Sequence, residues 1–171
     1  MADASGSKLK TLNELIALRT GWSRAGKKVV WTNGCFDLLH AGHVRSFRDA
    51  KSLGDILIVG VNSDASVRAI KGESRPIVNE EDRAEIIAAL EMVDYVTIFS
   101  EATPVAVLAK LQPDVHCKGA DYADGMRPVP ERDIVLAYGG KIHFLPFHAG
   151  KSTTALVERI GSSSDRLNKP E

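Results

Sequence analysis

The sequence predicts an α/β fold, a doubly wound parallel sheet of about five strands with helices on both faces. Short apolar runs alternate with segments of helical periodicity along one chain of 171 residues, which is the pattern of consecutive β-α units. The run 56–61 is apolar throughout, as expected of a strand covered on both faces. Ligands of such sheets bind beyond the carboxyl ends of the strands, near the point where the strand order reverses.

The elements follow in order from the amino terminus. Apolar residues at helical spacing from Leu9 to Leu18 predict a first helix, broken at Gly21 and Gly26. The predicted strands are 29–32, 56–61, 95–99, 114–117 and 141–145. The predicted later helices are 42–53, 64–70, 80–90, 104–111, 130–138 and 152–160, several with polar caps or closing glycines. This order indicates a Rossmann-like domain over 27–161, preceded by a helical segment 1–26 and followed by a flexible tail 162–171.

Composition restricts the function classes. Lys plus Arg and Asp plus Glu number 22 each, so the net charge is zero and no global field attracts nucleic acid or an anionic membrane. Two cysteines give no disulfide framework, and no apolar run approaches the roughly 20 residues that span a bilayer. The amino terminus lacks a hydrophobic signal core. We therefore expect a cytoplasmic protein whose anion site is built locally, with no nucleic-acid or membrane partner.

The segment after the first strand carries the clearest chemistry. His40 and His43 flank Gly42 where a helix is predicted to begin. Helix starts carry unpaired N–H groups and partial positive charge, so they favour phosphate. Glycine allows a phosphate to approach the backbone closely, and both imidazoles can donate to phosphate oxygens as negative charge moves to a leaving pyrophosphate. The segment therefore predicts phosphoryl-group chemistry without a covalent intermediate.

Residues 33–43 resemble the GxFDxxHxGH signature of the cytidylyltransferase-like nucleotidyltransferase superfamily. Further segments are similar to those of the bacterial heptose 1-phosphate adenylyltransferases, and the resemblance covers roughly residues 27–160. They are 62–68 (NSDASVR), 71–76 (KGESRP), Asp82-Arg83, Pro113-Asp114, 118–122 (KGADY) and 150–154 (GKSTT). The resemblance implies transfer of AMP from ATP to D-glycero-β-D-manno-heptose 1-phosphate, giving ADP-heptose and pyrophosphate for lipopolysaccharide core biosynthesis.

The resemblance also implies residue roles. The implied catalytic residues are His40, His43 and Lys71. The implied nucleotide-binding residues are Asn33, Gly34, Cys35, Phe36, Gly42, His43, Lys118, Gly119, Asp121, Ser152 and Thr153. The implied acceptor-binding residues are Asp37, Lys71, Arg75 and Arg83. No metal site of the protein's own is implied, and Mg²⁺ is expected to arrive with the nucleoside triphosphate.

Each role has a structural alternative. The two histidines could be a zinc pair or satisfied structural residues, although no third ligand is suggested nearby. Asp37 could be a turn or cap residue, Lys71 a solvated helix end, and Arg83 a member of a surface salt bridge with Asp82 or Glu80. Ser152 could be simply an N-cap.

The last motif departs from known patterns. A P-loop would need glycine at position 145, where this chain has leucine. Relatives often carry an acidic residue where this chain has Ala149. Some cytidylyltransferases carry arginine in place of Phe147, which argues against a glycerol-phosphate cytidylyltransferase. His148 and Lys151 are candidate substitutes for those absent residues.

The expected reaction is in-line attack of the acceptor phosphate on the α-phosphorus of the nucleotide, which needs positioning more than a strong base. Alternatives are a cytidylyl- or guanylyltransferase acting on another sugar or polyol phosphate, and a non-catalytic nucleotide sensor. The absence of G-x-G-x-x-G after the first strand disfavours a nicotinamide oxidoreductase. A separate heptokinase is expected to supply the sugar 1-phosphate, and the resemblance favours a homo-oligomer.

Overall fold

The computed structural model describes residues 8–123 and 128–146, together with Leu156, Val157 and Ile160, which are helical. Its strands are β1 (Val29–Gly34), β2 (Ile56–Asn62), β3 (Tyr95–Phe99), β4 (Val115–Gly119) and β5 (Lys141–Leu145). Its helices are α1 (Leu12–Arg24), α2 (Ala41–Lys51), α3 (Asp64–Lys71), α4 (Glu80–Ala88), α5 (Val105–Leu111) and α6 (Arg132–Ala137). A 3-10 turn, Ala120–Tyr122, follows β4.

The five strands form one sheet in the order β3-β2-β1-β4-β5, and every pairing is parallel. Thr32 of the central strand aligns with Val59 on one side and Cys117 on the other. The chain builds outward from β1 to β3, then crosses to the opposite side for β4 and β5. The switch point therefore lies between β1 and β4, and the predicted doubly wound α/β fold is confirmed.

Two apolar layers cover the two faces of the sheet. Consecutive residues of β1 divide between them: Val30 belongs to the layer that contains Phe47 of α2, and Trp31 to the layer that contains Leu15 of α1 and Leu108 of α5. This division follows from the two-residue period of a strand. All five residues are fully or almost fully buried, so the helices occupy both faces as predicted.

The amino-terminal segment differs from its prediction. Thr11 and Glu14 form a capping box that begins α1 at Leu12, because each side chain satisfies a backbone N–H of the first turn. Leu9 lies before the helix and forms a parallel bridge to Val96 of β3. Gly21 does not break α1, which continues to Arg24. The helix terminates just before Gly26, whose φ of +64° suits glycine.

The strands also reach further toward the site than their apolar runs. β1 continues through Asn33 to Gly34, and β4 continues through Lys118 to Gly119. Hydrogen bonding to neighbouring strands, rather than hydrophobicity, sets these ends. The predicted helix 152–160 lies largely outside the described residues. None of the described helices is long and apolar enough to cross a bilayer.

Candidate active site

A cavity of about 430 Å³ opens at the carboxyl ends of β1, β2 and β4. It adjoins the switch point of the sheet, where ligands of this architecture bind. Six of the residues implied by the sequence line it: Asn33, Gly34, Cys35, Lys71, Lys118 and Gly119. Other lining residues come from the end of β2, the segment before α5, the 3-10 turn and the segment before α6: Asn62, Thr103, Pro104, Tyr122, Pro130 and Glu131.

The two histidines lie at the start of α2, the helix that follows β1. His40 is the N-cap residue, and its Nδ1 accepts the backbone N–H of Gly42 at 3.1 Å. His43 Nδ1 accepts the backbone N–H of His40 at 3.4 Å, and the two rings stack with centroids 3.9 Å apart. A nitrogen that accepts a hydrogen bond carries no proton, so the proton of each neutral ring is on Nε2. Each ring is therefore a hydrogen-bond donor through Nε2.

Burial, reinforced by His40 and the positive charge of Lys71, lowers the pKa of His43 to about 4. His43 is consequently neutral at pH 7 and acts as a hydrogen-bond donor rather than as a cation. Phe36 packs its ring against His43 with centroids 5.4 Å apart. A Cβ at Gly34 would lie 3.0 Å from Cζ of Phe36, so the glycine makes room for the ring that supports His43.

Asp37 is almost fully buried and fixes the segment after α3. Its carboxylate accepts hydrogen bonds from Arg75 at 2.6 Å and from the backbone N–H groups of Ile77 at 2.6 Å and Val78 at 3.2 Å. Burial alone would raise the pKa of Asp37, but these hydrogen bonds outweigh it and hold the pKa below its usual range. In this structure Asp37 and Arg75 bind each other, so their contact with an acceptor stays a prediction.

Arg83 is 1% exposed, so the alternative of a surface salt bridge is wrong. The guanidinium donates to the carbonyls of Val78, Asn62 and Cys35 and to the carboxylate of Asp64. These contacts join α4 to the ends of β1 and β2 and to the start of α3. Arg83 thus supports the walls of the cavity, and its direct contact with an acceptor also stays a prediction.

The two lysines of the cavity have different surroundings. Lys71, at the end of α3, is exposed and forms no salt bridge with any residue that the structure describes. Lys118 lies 3.1 Å from Glu131 Oε1 and 4.2 Å from the centre of the Tyr122 ring. Sequence reasoning missed Glu131, because an acidic residue just before a helix looks like one that favours the helix dipole.

The structure describes only some of the other residues that the sequence resemblance implies. Gly42 is buried in the first turn of α2. Asp121 lies in the 3-10 turn after β4, with its side chain outside the described set. Ser152, Thr153 and the departures at 147–151 also lie outside it. Among the residues described, no group of three or more His, Cys, Asp or Glu side chains could hold a metal ion.

A parallel sheet of this order, with paired histidine donors at the helix after its first strand, defines a nucleotidyltransferase-type α/β protein. The family model described as cytidylyltransferase-like matches residues 31–159. The chain belongs to this family.

Two relatives show the extent of the similarity. The bifunctional protein HldE of Pelobacter propionicus is 49% identical over 156 residues, which cover 91% of this chain and 32% of that protein. The bifunctional protein HldE of Citrifermentans bemidjiense is 49% identical over 162 residues, covering 95% and 33% respectively. The chain thus spans about a third of the length of the curated relatives it matches.

Two solved structures share the fold. A lipopolysaccharide core biosynthesis protein from Thermoplasma volcanium is 26% identical with a TM-score of 0.58, covering 72% of this chain and 98% of that one. A pantoate-β-alanine ligase from Francisella tularensis has a TM-score of 0.61 at 15% identity, covering 95% of this chain and 79% of that one. At that identity the second likeness concerns the fold alone.

Proposed function

We propose that this domain transfers AMP from ATP to D-glycero-β-D-manno-heptose 1-phosphate and releases pyrophosphate. The observation that carries the proposal is the histidine pair at the start of α2, whose Nδ1 atoms accept backbone N–H groups, so that each neutral ring carries its proton on Nε2. Similarity to HldE proteins and to a lipopolysaccharide core biosynthesis protein supports the choice of acceptor.

The reaction is one displacement at phosphorus. An oxygen of the sugar phosphate attacks the α-phosphorus of ATP, the bond to the bridging oxygen of the β-phosphate breaks, and pyrophosphate leaves with that electron pair. A phosphate monoester is largely a dianion near pH 7, so the attacking oxygen needs no strong base. His40 and His43 donate to the oxygens on which charge accumulates, and Lys71 neutralises charge at the cavity wall.

Mg²⁺ is proposed to accompany the triphosphate, whose charge it neutralises when bound. The nearby carboxylates Asp37 and Glu131 already bind Arg75 and Lys118, so phosphate oxygens and water would be its ligands. We further propose a cytoplasmic location, a homo-oligomeric state and a heptokinase activity as the source of the sugar 1-phosphate. Residues 27–161 are proposed as the transferase domain.

Pyrophosphate release tests this function. The protein is mixed with Mg²⁺, the heptose 1-phosphate and, in parallel, ATP, CTP, GTP or UTP. We expect release with ATP and little with the others, and formation of ADP-heptose in equal amount. Release with CTP or GTP alone would contradict the choice of donor but keep the reaction class. Nucleotide binding without release, across a panel of sugar and polyol phosphates, would favour the sensor.

A further inference from the structure

Lys71 ends the helix that follows β2 and Lys118 lies in β4, and these two strands flank β1 on opposite sides, so the cavity has a Lys71 end and a Lys118 end. Lys71 forms no salt bridge within the described part of the chain, so its positive charge is available to a ligand. Lys118 is paired with Glu131, and only 11% of its side chain and 1% of the Glu131 side chain are exposed. Counting the described residues, the Lys118 end therefore has almost no net charge, while the Lys71 end is positive.

Only one of the two carboxylate oxygens of Glu131 has a hydrogen-bond partner among the described residues. Its Oε1 accepts from Lys118 at 3.1 Å, whereas its Oε2 is buried with no hydrogen-bond partner among the residues described. Buried carboxylate oxygens are nearly always hydrogen-bonded, because an unpaired one loses its hydration without compensation. Glu131 also lines the cavity, so a small rotation of its side chain would bring Oε2 within reach of a hydrogen-bond donor on a ligand there.

The negative charge of Glu131 determines which group of a ligand can donate a hydrogen bond to Oε2. A carboxylate repels phosphate oxygens, so the phosphates are favoured at the Lys71 end and at α2. A hydroxyl group both donates and accepts one hydrogen bond or more. It can therefore donate to Glu131 Oε2 while it accepts from Lys118, whose ammonium is held between Glu131 and the Tyr122 ring.

We propose that Glu131 is a specificity-determining residue that recognises, together with Lys118, a hydroxyl group of a vicinal diol. The inference rests on the proposed function, because that function supplies two ligands with such diols, the ribose of the nucleotide and the acceptor sugar. The shared chemistry is a sugar hydroxyl, and the experiment separates the two sources.

Direct binding measured by calorimetry tests the proposal without turnover. The ligands are ATP, its 2′-deoxy and 3′-deoxy analogues, and a hexose 1-phosphate with its 2-deoxy analogue, the sugars added in the presence of a non-hydrolysable ATP analogue. The variants are Glu131→Gln, Glu131→Asp and, as a matched control on the exposed surface, Glu91→Gln. Thermal unfolding establishes that each variant is folded.

We expect Glu131→Gln to lose about tenfold or more in affinity for one diol-bearing ligand, with a much smaller loss for the deoxy analogue of that ligand. Loss confined to the ATP series assigns the hydroxyl to the ribose, and loss confined to the hexose series assigns it to the acceptor. If Glu131→Gln does not fold, Glu131→Asp takes its place, because aspartate keeps the charge but its shorter side chain moves the carboxylate oxygens away from the ligand.

Equal losses for parent and deoxy ligands would overturn the proposal, because they indicate a purely structural role for Glu131. Unchanged affinities in both variants would overturn it as well. These outcomes are distinct from failure of the proposed function, which would appear as wild-type protein that binds the ligands but releases no pyrophosphate.

Discussion

At His40 and His43, hydrogen bonds to one ring nitrogen decide what the other can do. Both Nδ1 atoms accept backbone N–H groups at the start of α2, so the fold itself selects the tautomer with Nε2–H. The low pKa of His43, about 4, keeps that ring neutral over the pH range in which a phosphate monoester is a dianion. Backbone and burial thus prepare the pair as donors before a ligand arrives.

Replacement of either histidine with alanine is expected to lower kcat by about 10² to 10³, the usual effect of removing one donor to a developing anion. The free energy of unfolding should fall by only about 1 kcal/mol, the value of a lost helix cap. Steady-state pyrophosphate release and urea unfolding measure the two effects. His143→Ala, on exposed β5 surface, is the control, and wild-type kcat in either variant would refute the assigned role.

Arg83 gives a second prediction at this scale. Lysine keeps the charge but cannot make the several hydrogen bonds of the guanidinium, so Arg83→Lys should lower the free energy of unfolding by about 2–3 kcal/mol. Arg68→Lys, on the exposed side of α3, should change it little. Urea unfolding compares them. A stable Arg83→Lys protein with a raised KM for the acceptor alone would instead support the contact implied by the sequence resemblance.

Among the elements, α1 offers a test of helix propensity. Gly21 lies inside this helix without a positive φ, and a Cβ there would meet no atom within 4 Å. Gly21→Ala should therefore raise the free energy of unfolding by about 0.5–1 kcal/mol. Gly26→Ala is the contrast, because its φ of +64° strains an alanine and should make that variant less stable than wild type. Thermal unfolding of both variants gives the comparison.

Element types were predictable from local pattern, and contacts made at long range were not. The apolar runs of β3 and β5 predicted both strands with the observed ends. Leu9 was wrongly placed in a helix, because its bridge to Val96 depends on a strand far along the chain. The burial of Arg83 and Glu131 had no local signal, since a charged side chain is buried only where distant segments supply its partners.

At the scale of the whole molecule, acid stability depends on His116, which is fully buried in β4. Burial and the nearby charge of Lys118 lower its pKa to about 3. The unfolded chain, with an ordinary histidine pKa near 6.5, binds more protons than the folded chain between about pH 3 and pH 6.5. This contribution to stability is fully present above that range and is lost progressively as the pH falls through it.

His116→Leu should remove that pH dependence, because leucine has no titratable group. Between pH 7.5 and pH 5, wild type should lose about 2 kcal/mol more than the variant. Urea unfolding at the two pH values measures the difference. His143→Leu, exposed on β5, should behave like wild type, and an unchanged pH dependence in His116→Leu would contradict the assignment.

The strand order has a consequence for how the molecule assembles. Val29 of β1 aligns with Ile56 of β2, 27 residues further along the chain. Val30 of β1 aligns with Val115 of β4, 85 residues further along the chain. Short loops close at lower entropic cost, so β1, β2 and β3 can associate before β4 and β5 join them. The cavity takes its walls from both groups of strands, and it is complete only after the second group has docked. A bound nucleotide should therefore oppose the reverse step, and amide hydrogen exchange in β4 and β5 should slow more than in β2 and β3 when the site is filled.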